Sequence, residues 1–405
     1  MECICCGGIG KIDVVGVCPL CDGLGFFRTA GVFVLGDFNG TAAAGGAQAW
    51  IPDMMDRYGL QRAPTPVSWA GKELDKIIVS RLDHIFYGGA TCELSGVIPY
   101  FAALDDMPGG REAKLRDTGL PNCVCPSDHV AIGCALALTS CETSSRTELR
   151  IASWNILADI YVRVGLRESS RGVLKAVQGY MEPGQVSDLF QHIADEHMLH
   201  ELPEDFIAFK ADLANLDMGA ILNKYGIQLW NAFEGYKWEH LEWDMRCTRI
   251  AEWIKSCEAD VLGLQEVMFM RREDVWGLPL WLEVAARDGG FEAVIQIDAG
   301  PKAQKDVQKN SERNEKMVGQ AFPTGLVTLF RKARFELRSE KHSAGSNTSI
   351  LQLKDRSTGD ELIVGNVHLI GNPEFVDKQQ EQLRKLLEGI SCIERGQEER
   401  GKKKR

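Results

Sequence analysis

Pro126-Ser127-Asp128-His129 leads into the apolar run Val130 to Leu138, and after the polar connector Thr139 to Glu148 a second apolar run ends in Ser153-Trp154-Asn155-Ile156-Leu157-Ala158-Asp159. Two apolar runs joined by a short polar segment read as adjacent antiparallel strands. Asp128 and His129 precede the first run and Asn155 closes the second, so both groups stand away from the connector. In an antiparallel pair those two ends coincide, which puts polar residues of catalytic type together at one sheet edge.

Outward from this pair, composition bounds the rest. With 405 residues and 44% hydrophobic content, the chain can bury one large core or two medium ones. A net charge of −11 and a pI near 5.4 repel a long polyanion unless a local basic channel offsets them. No apolar run approaches the ~18 residues of a membrane span, and the N-terminus lacks a basic-then-apolar leader. The expectation is a cytosolic or nuclear protein with no membrane partner.

Thirteen cysteines are many for such a chain, and five cluster at Cys3, Cys5, Cys6, Cys18 and Cys21. Cys3-x-x-Cys6-x-Gly8-x-Gly10 and Cys18-x-x-Cys21-x-Gly23-x-Gly25 are two copies of one pattern, with eleven residues between the inner cysteines. A C-x-x-C turn aims two thiolates at one point, and two such turns complete a tetrahedral Zn²⁺ site. The repeat resembles half of the cysteine-rich zinc region of DnaJ-type chaperones. Residues 1–30 are therefore expected to form a zinc knuckle in which Cys3, Cys6, Cys18 and Cys21 hold a structural ion, with protein or RNA as its partner.

Along the remaining chain, Gly31 to Leu35 reads as a buried strand stopped by Gly36-Asp37-Phe38-Asn39-Gly40. Residues 45–58 read as helix, 59–76 as irregular, and 77–80 and 82–87 as strands. A loop is expected over 105–125, a long helix-rich insert over 164–240, and an amphipathic helix from Trp243 through Ile250, Ile254 and Cys257. Val261 to Val267, Gly325 to Phe330 and Leu362 to His368 read as strands, and 376–390 as a helix. The charged segment 391–405 is expected to be disordered. His192, His197 and His200 fall in an acidic helical stretch and read as a solvated face. Strands alternating with helices give an α/β class.

Six strand ends carry residues suited to phosphate chemistry: Asp37 with Asn39, Asp83, Asp128 with His129, Asn155, Glu266 and His368. Ester hydrolysis at phosphorus needs a hard divalent cation on the phosphoryl oxygens, a base for the attacking water and donors for the charge that builds up. Carboxylate and amide oxygens suit Mg²⁺, and imidazoles donate to phosphate. Singly, each residue is as readily a turn or a cap.

As a set, Gly36-Asp37-Phe38-Asn39, Leu82-Asp83-His84-Ile85-Phe86, Pro126-Ser127-Asp128-His129, Trp154-Asn155-Ile156-Leu157, Leu264-Gln265-Glu266-Val267 and Asn366-Val367-His368-Leu369 resemble the motifs of the endonuclease/exonuclease/phosphatase superfamily. The similarity is greatest to its deadenylase-like branch (carbon-catabolite-repression deadenylases, nocturnin, Angel). Trp243-x-x-Arg246-x-x-x-Ile250, Leu120-Pro121-Asn122 and Asn372-Pro373 add to the likeness. The order differs, because here the last three family motifs come first. The resemblance therefore implies a circularly permuted four-layer α/β sandwich of two packed mixed sheets. Residues 31–140 supply its C-terminal half and 149–390 its N-terminal half.

The same resemblance implies the roles. Glu266 would hold Mg²⁺ (or Mn²⁺) with Asn155 orienting metal or phosphate, while Asp37 and Asn39 position the attacking water and the scissile phosphate. His129 and His368 would stabilise phosphoryl charge, Asp128 would contact the metal–water network, and Asp83 would orient a histidine. Pro373 would pack an adenine, although no aromatic partner stands in Ile78 to Arg81. The expected function is an Mg²⁺-dependent 3′-to-5′ exoribonuclease acting on RNA 3′ ends. A phosphatase or phosphodiesterase on small nucleotides or cyclic-phosphate ends is the alternative. The second alternative is a non-catalytic chain, or artefactually fused halves, beside a zinc-knuckle binding module.

Overall fold

The strand Thr29–Asp37 (β1) sends alternate side chains to two different cores. Phe33 and Leu35 enter one apolar cluster, while Val34 enters another together with Phe38. A strand apolar on both faces belongs inside a layered structure rather than at its surface. The computed structural model bears this out. It describes residues 29–41, 48–73, 76–89, 92–139, 146–162, 238–273, 275–296, 301–318, 322–343, 347–371 and 375–402. Cys3, Cys6, Cys18, Cys21, Pro373, the connector residues 140–145 and nearly all of the 164–240 insert lie outside the described residues.

The first mixed sheet runs, in spatial order, Phe335–Ser343 (β14), Thr348–Asp355 (β15), Glu361–His368 (β16), β1, Asp83–Gly88 (β5) and Gln61–Arg62 (β2). Only its central pair, β16 and β1, is parallel. The second runs Phe291–Ile295 (β12), Thr324–Arg331 (β13), Val261–Met268 (β9), Arg146–Asn155 (β8), Ile132–Thr139 (β7) and Cys92–Ile98 (β6). Here β9 and β8 are the parallel pair. The opening stretch is thus the antiparallel pair β7–β8, with Ile132 opposite Ser153.

One cluster joins the sheets, combining Phe33, Leu35 and Val364 of the first with Leu136, Ile151, Val261 and Phe330 of the second. The other face of the first sheet packs Val34, Phe86, Ile363 and Val367 against helices Trp50–Arg57 and Val376–Lys402. The other face of the second packs Ala152, Trp154, Leu262 and Leu264 against helices Trp243–Ser256 and Leu280–Asp288. At Gly263 a Cβ would come within 2.0 Å of Leu35 Cδ1, so only glycine lets the sheets approach this closely there.

Several expectations are corrected. Residues 69–73, read as irregular, form the strand Trp69–Glu73 (β3) paired with Lys76–Ser80 (β4). Its Ala70 and Gly71 gave no period to read. The expected loop 105–125 contains the helix Gly110–Thr118, which buries only Arg111 and Leu115 and so leaves no apolar stripe. Cys92–Ile98 is a strand that no reading anticipated. The last helix runs on to Lys402, past the expected end at Ile390, in a segment rich in Glu, Arg and Gln. Among the described residues, no helix is long and apolar enough to cross a membrane.

Candidate active site

The carboxyl ends of all four parallel strands open at one place. Asp37 ends β1 directly opposite His368, which ends β16. Asn155 ends β8 beside Gln265 of β9, and Glu266 follows. Asp83 opens β5 opposite Asp37, and His129 lies just ahead of β7. Ligands of α/β proteins collect at the carboxyl ends of parallel strands, where side chains of different strands converge.

Asn155 is the hub. Its Nδ2 donates to Asp37 Oδ2 and to Glu266 Oε1, each at 3.0 Å. Its Oδ1 accepts from the Leu157 N–H at 3.0 Å, which fixes the amide orientation, and the Ala158 N–H donates to Glu266 Oε2 at 3.1 Å. Asp37 Oδ2 lies 3.6 Å from His368 Nε2 and 3.7 Å from His129 Nε2, and Glu266 Oε1 lies 3.6 Å from His368 Nε2. The Asn39 N–H donates to Asp37 Oδ1 at 2.8 Å, and Asn39 Nδ2 to the Leu369 carbonyl at 2.7 Å. Asn39, Leu157 and Glu266 all hold positive φ (47°, 52° and 61°), a strain that surrounding contacts must maintain. Of the residues named from sequence, Asp37, Asn39, Asp83, Asp128, His129, Asn155, Glu266 and His368 are brought together. Pro373 and the four cysteines lie outside the described residues.

Electrostatics divide the roles. Burial would lower the His129 imidazole, but the carboxylates of Asp83, Asp128 and Asp37 outweigh it and hold His129 well above its ordinary value. Burial raises the Glu266 carboxyl, opposed by His368 and reinforced by Asp128. Among the described residues, no lysine or arginine stands within ion-pair distance of Asp37, Asp128 or Glu266, although the buried Arg246 acts on the last two through the interior. Asp37, Asp83 and His129 bring one ligand atom each within 4.8 Å of one another. Asp83 and His129 are bonded to each other, however, and a protonated imidazole is no metal ligand. The hard oxygens of Asp37 and Glu266, with Asp128 nearby, better fit a divalent cation.

Sequence reading missed the supports. Ser68 Oγ accepts the Leu82 and Asp83 N–H groups at 3.1 Å, and Trp69 Nε1 donates to Asp128 Oδ2 at 3.2 Å. Both lie in the stretch read as irregular. Between the sheets, Gln265 Nε2 donates to Asn366 Oδ1 at 2.8 Å, and Asn366 Nδ2 reaches the Val327 carbonyl at 3.1 Å.

The sequence matches no known protein family and no curated protein. Among solved structures, ANGEL2, a 2',3'-cyclic phosphatase, matches at 24% identity over 38% of this chain and 39% of that one, with a TM-score of 0.27. Its complex with adenosine-2',3'-vanadate matches at the same identity and score over 38% and 40%. The human Nocturnin catalytic domain with bound sulfate anion matches at 19% identity over 40% and 57%, with a TM-score of 0.28. Each match spans less than two thirds of the solved chain, and superpositions of this extent leave function to be argued from the residues above.

Proposed function

We propose that this chain is a divalent-cation-dependent phosphoric-ester hydrolase built on a circularly permuted four-layer sandwich, with an RNA 3′ end as its preferred substrate. One observation carries the reading. Asp37, Asn155 and Glu266, drawn from three strands and up to 229 positions apart in sequence, meet around a single amide with His129 and His368 on the rim. That constellation supports hydrolysis at phosphorus whatever the order of its parts along the chain.

Glu266, Asp37 and Asp128 would hold Mg²⁺, which supplies charge for the phosphoryl oxygens and a more acidic water. The protein's share is positioning and proton control. His129 carries its proton toward the site on Nε2 while Nδ1–H donates to Asp83, so it serves as a donor to phosphoryl oxygen and not as a base. His368, against both Asp37 and Glu266, supplies a second donor. Asp37, with Oδ1 engaged by the Asn39 N–H and Oδ2 by Asn155, would orient the incoming water through the remaining lone pair of Oδ2.

A second reading is a phosphatase or phosphodiesterase on small nucleotides or cyclic-phosphate ends. The net charge of −11 favours it, since a long polyanion gains most from basic tracks. Turnover by the full-length chain on oligo(A), cyclic-phosphate RNA ends and NADP(H), with and without Mg²⁺, separates the two. Absence of Mg²⁺-dependent turnover on every substrate would reject both.

A further inference from the structure

The two strand ends that open at the site are tied from behind by one side chain. Arg246, on helix Trp243–Ser256, is fully buried. Its Nε donates to the Pro126 carbonyl at 2.7 Å and its Nη2 to the Ile156 carbonyl at 2.9 Å, with a further bond from Nη2 to the Leu157 carbonyl. Pro126 begins the segment that carries Asp128 and His129. Ile156 and Leu157 form the turn after Asn155, and that turn's N–H groups orient the Asn155 amide and the Glu266 carboxylate. A guanidinium suits this place because its planar fork spans carbonyls of two segments at once, which an ammonium does not.

We infer that Arg246 is a positioning residue that locks the Asp128–His129 segment to the Asn155–Glu266 turn, so that the phosphoryl donor and the cation ligands reach working geometry together. The catalytic consequence rests on the phosphoesterase reading; the clamp itself does not. Leu157 at φ 52° needs such an external hold, and its carbonyl is one of the three that Arg246 takes. Ser127 Oγ, donating to the Asn155 carbonyl at 2.7 Å, is a second tie between the same segments. Burial lowers the guanidinium only to about 10, so it stays charged in neutral solution. The half-buried Trp243 ring, 5.4 Å from the guanidinium carbon, helps to hold it in place.

The test is Arg246→Lys in the full-length chain, read by hydrogen exchange, by Mn²⁺ binding in electron paramagnetic resonance, and by turnover. Amide exchange over 127–129 and 156–158 should quicken about tenfold, with the sheet interior unchanged. Mn²⁺ affinity should fall about tenfold, and kcat about tenfold with KM within about twofold. Arg249→Lys, whose guanidinium holds the Asn122 and Cys123 carbonyls on the same helix's outer side, should leave all three readouts near wild type. Unchanged exchange and unchanged Mn²⁺ affinity in Arg246→Lys would overturn the clamp. If that variant does not fold, Trp243→Leu should move both readouts the same way by about threefold, and no change there overturns it equally. A wild-type chain that binds no Mn²⁺ rejects the phosphoesterase reading, and hydrogen exchange alone then decides the clamp.

Discussion

Asp83 Oδ2 lies 2.8 Å from His129 Nδ1, with both side chains sealed from solvent. The contact fixes the ring and leaves Nε2 pointing into the site. Asp83→Asn keeps the shape but removes the charge that holds the imidazole protonated, so kcat should fall on the order of 10²-fold. Because the folded-state value of His129 is raised, its stabilising contribution is complete below the unfolded value of about 6.5 and fades as pH rises through the folded one. Activity should follow the same alkaline limb, and Asp83→Asn should move that limb to lower pH. A pH–rate profile in which the limb stays put would show that His129 is not the titrating donor.

Glu266 predicts a conflict between stability and function. Its carboxyl is raised by burial, so ionising it in the cation-free fold is unfavourable. Glu266→Gln should therefore melt higher than wild type in a chelator at neutral pH. In wild type, cation at about 100 times its Kd should add about 2.7 kcal/mol of stability, and the variant should lose most of that gain. Calorimetry with and without Mg²⁺ checks both halves; an equal Mg²⁺ response in the two proteins would remove Glu266 from the ligand set.

The site was more legible than its frame. Asp37, Asn155, Glu266 and His368 each end an apolar run, and a polar residue at a strand terminus can be seen without knowing what the strand pairs with. Ser68, Trp69 and Asn366 could not be found this way. Their work depends on which backbone or side chain stands opposite, as with the Trp69 indole on Asp128 across 59 positions. Helix Gly110–Thr118 was missed for a related reason. It is held by the Arg111 guanidinium on Asp105 and on the Tyr100 carbonyl rather than by an apolar face.

His84 should make the fold acid-sensitive. Its Nε2–H donates to the Gly40 carbonyl at 2.8 Å, bracing the loop after Asp37, and its Nδ1 is buried without a partner. Burial, with Arg62 and Arg81 nearby, lowers it to about 4. A histidine depressed in the fold binds its proton first in the unfolded chain, so stability drops as pH falls from about 6.5 towards about 4, by roughly 3 kcal/mol. His84→Gln, which keeps a donor for Gly40, should flatten that part of the curve in urea unfolding at stepped pH. An unchanged slope would reassign the acid sensitivity to other groups.

Gln265 and Asn366 form a polar bridge between two apolar sheet faces, both fully buried. Asn366→Leu leaves one Gln265 N–H without its acceptor, the other still reaching Ser153 Oγ, and should cost about 1–3 kcal/mol. Adding Gln265→Leu removes that orphan but takes the partner of the buried Ser153 Oγ, so it should restore only part of the lost stability. Activity should stay low in the double variant, since the bridge sits directly beneath Glu266 and His368. A double variant as active as wild type would mean that the bridge serves stability alone.

The sharpest prediction returns to β7 and β8. If residues 31–140 and 149–390 are the two halves of one domain joined through the connector, the covalent link between them is dispensable. Chains 1–142 and 143–405, produced together, should co-purify and retain Mg²⁺-dependent turnover. What holds them is non-covalent: the β7–β8 ladder from Ile132–Ser153 to Thr139–Arg146, the parallel β1–β16 pairing, and the cluster shared by both sheets. The candidate site itself spans the cut, with Asn155 on one fragment donating to Asp37 on the other. Either fragment alone should therefore be inactive, because neither carries both the Asp37 and the Glu266 carboxylate. Fragments that elute separately would show that the connector is needed to bring the halves together, and the permuted-domain reading would fall.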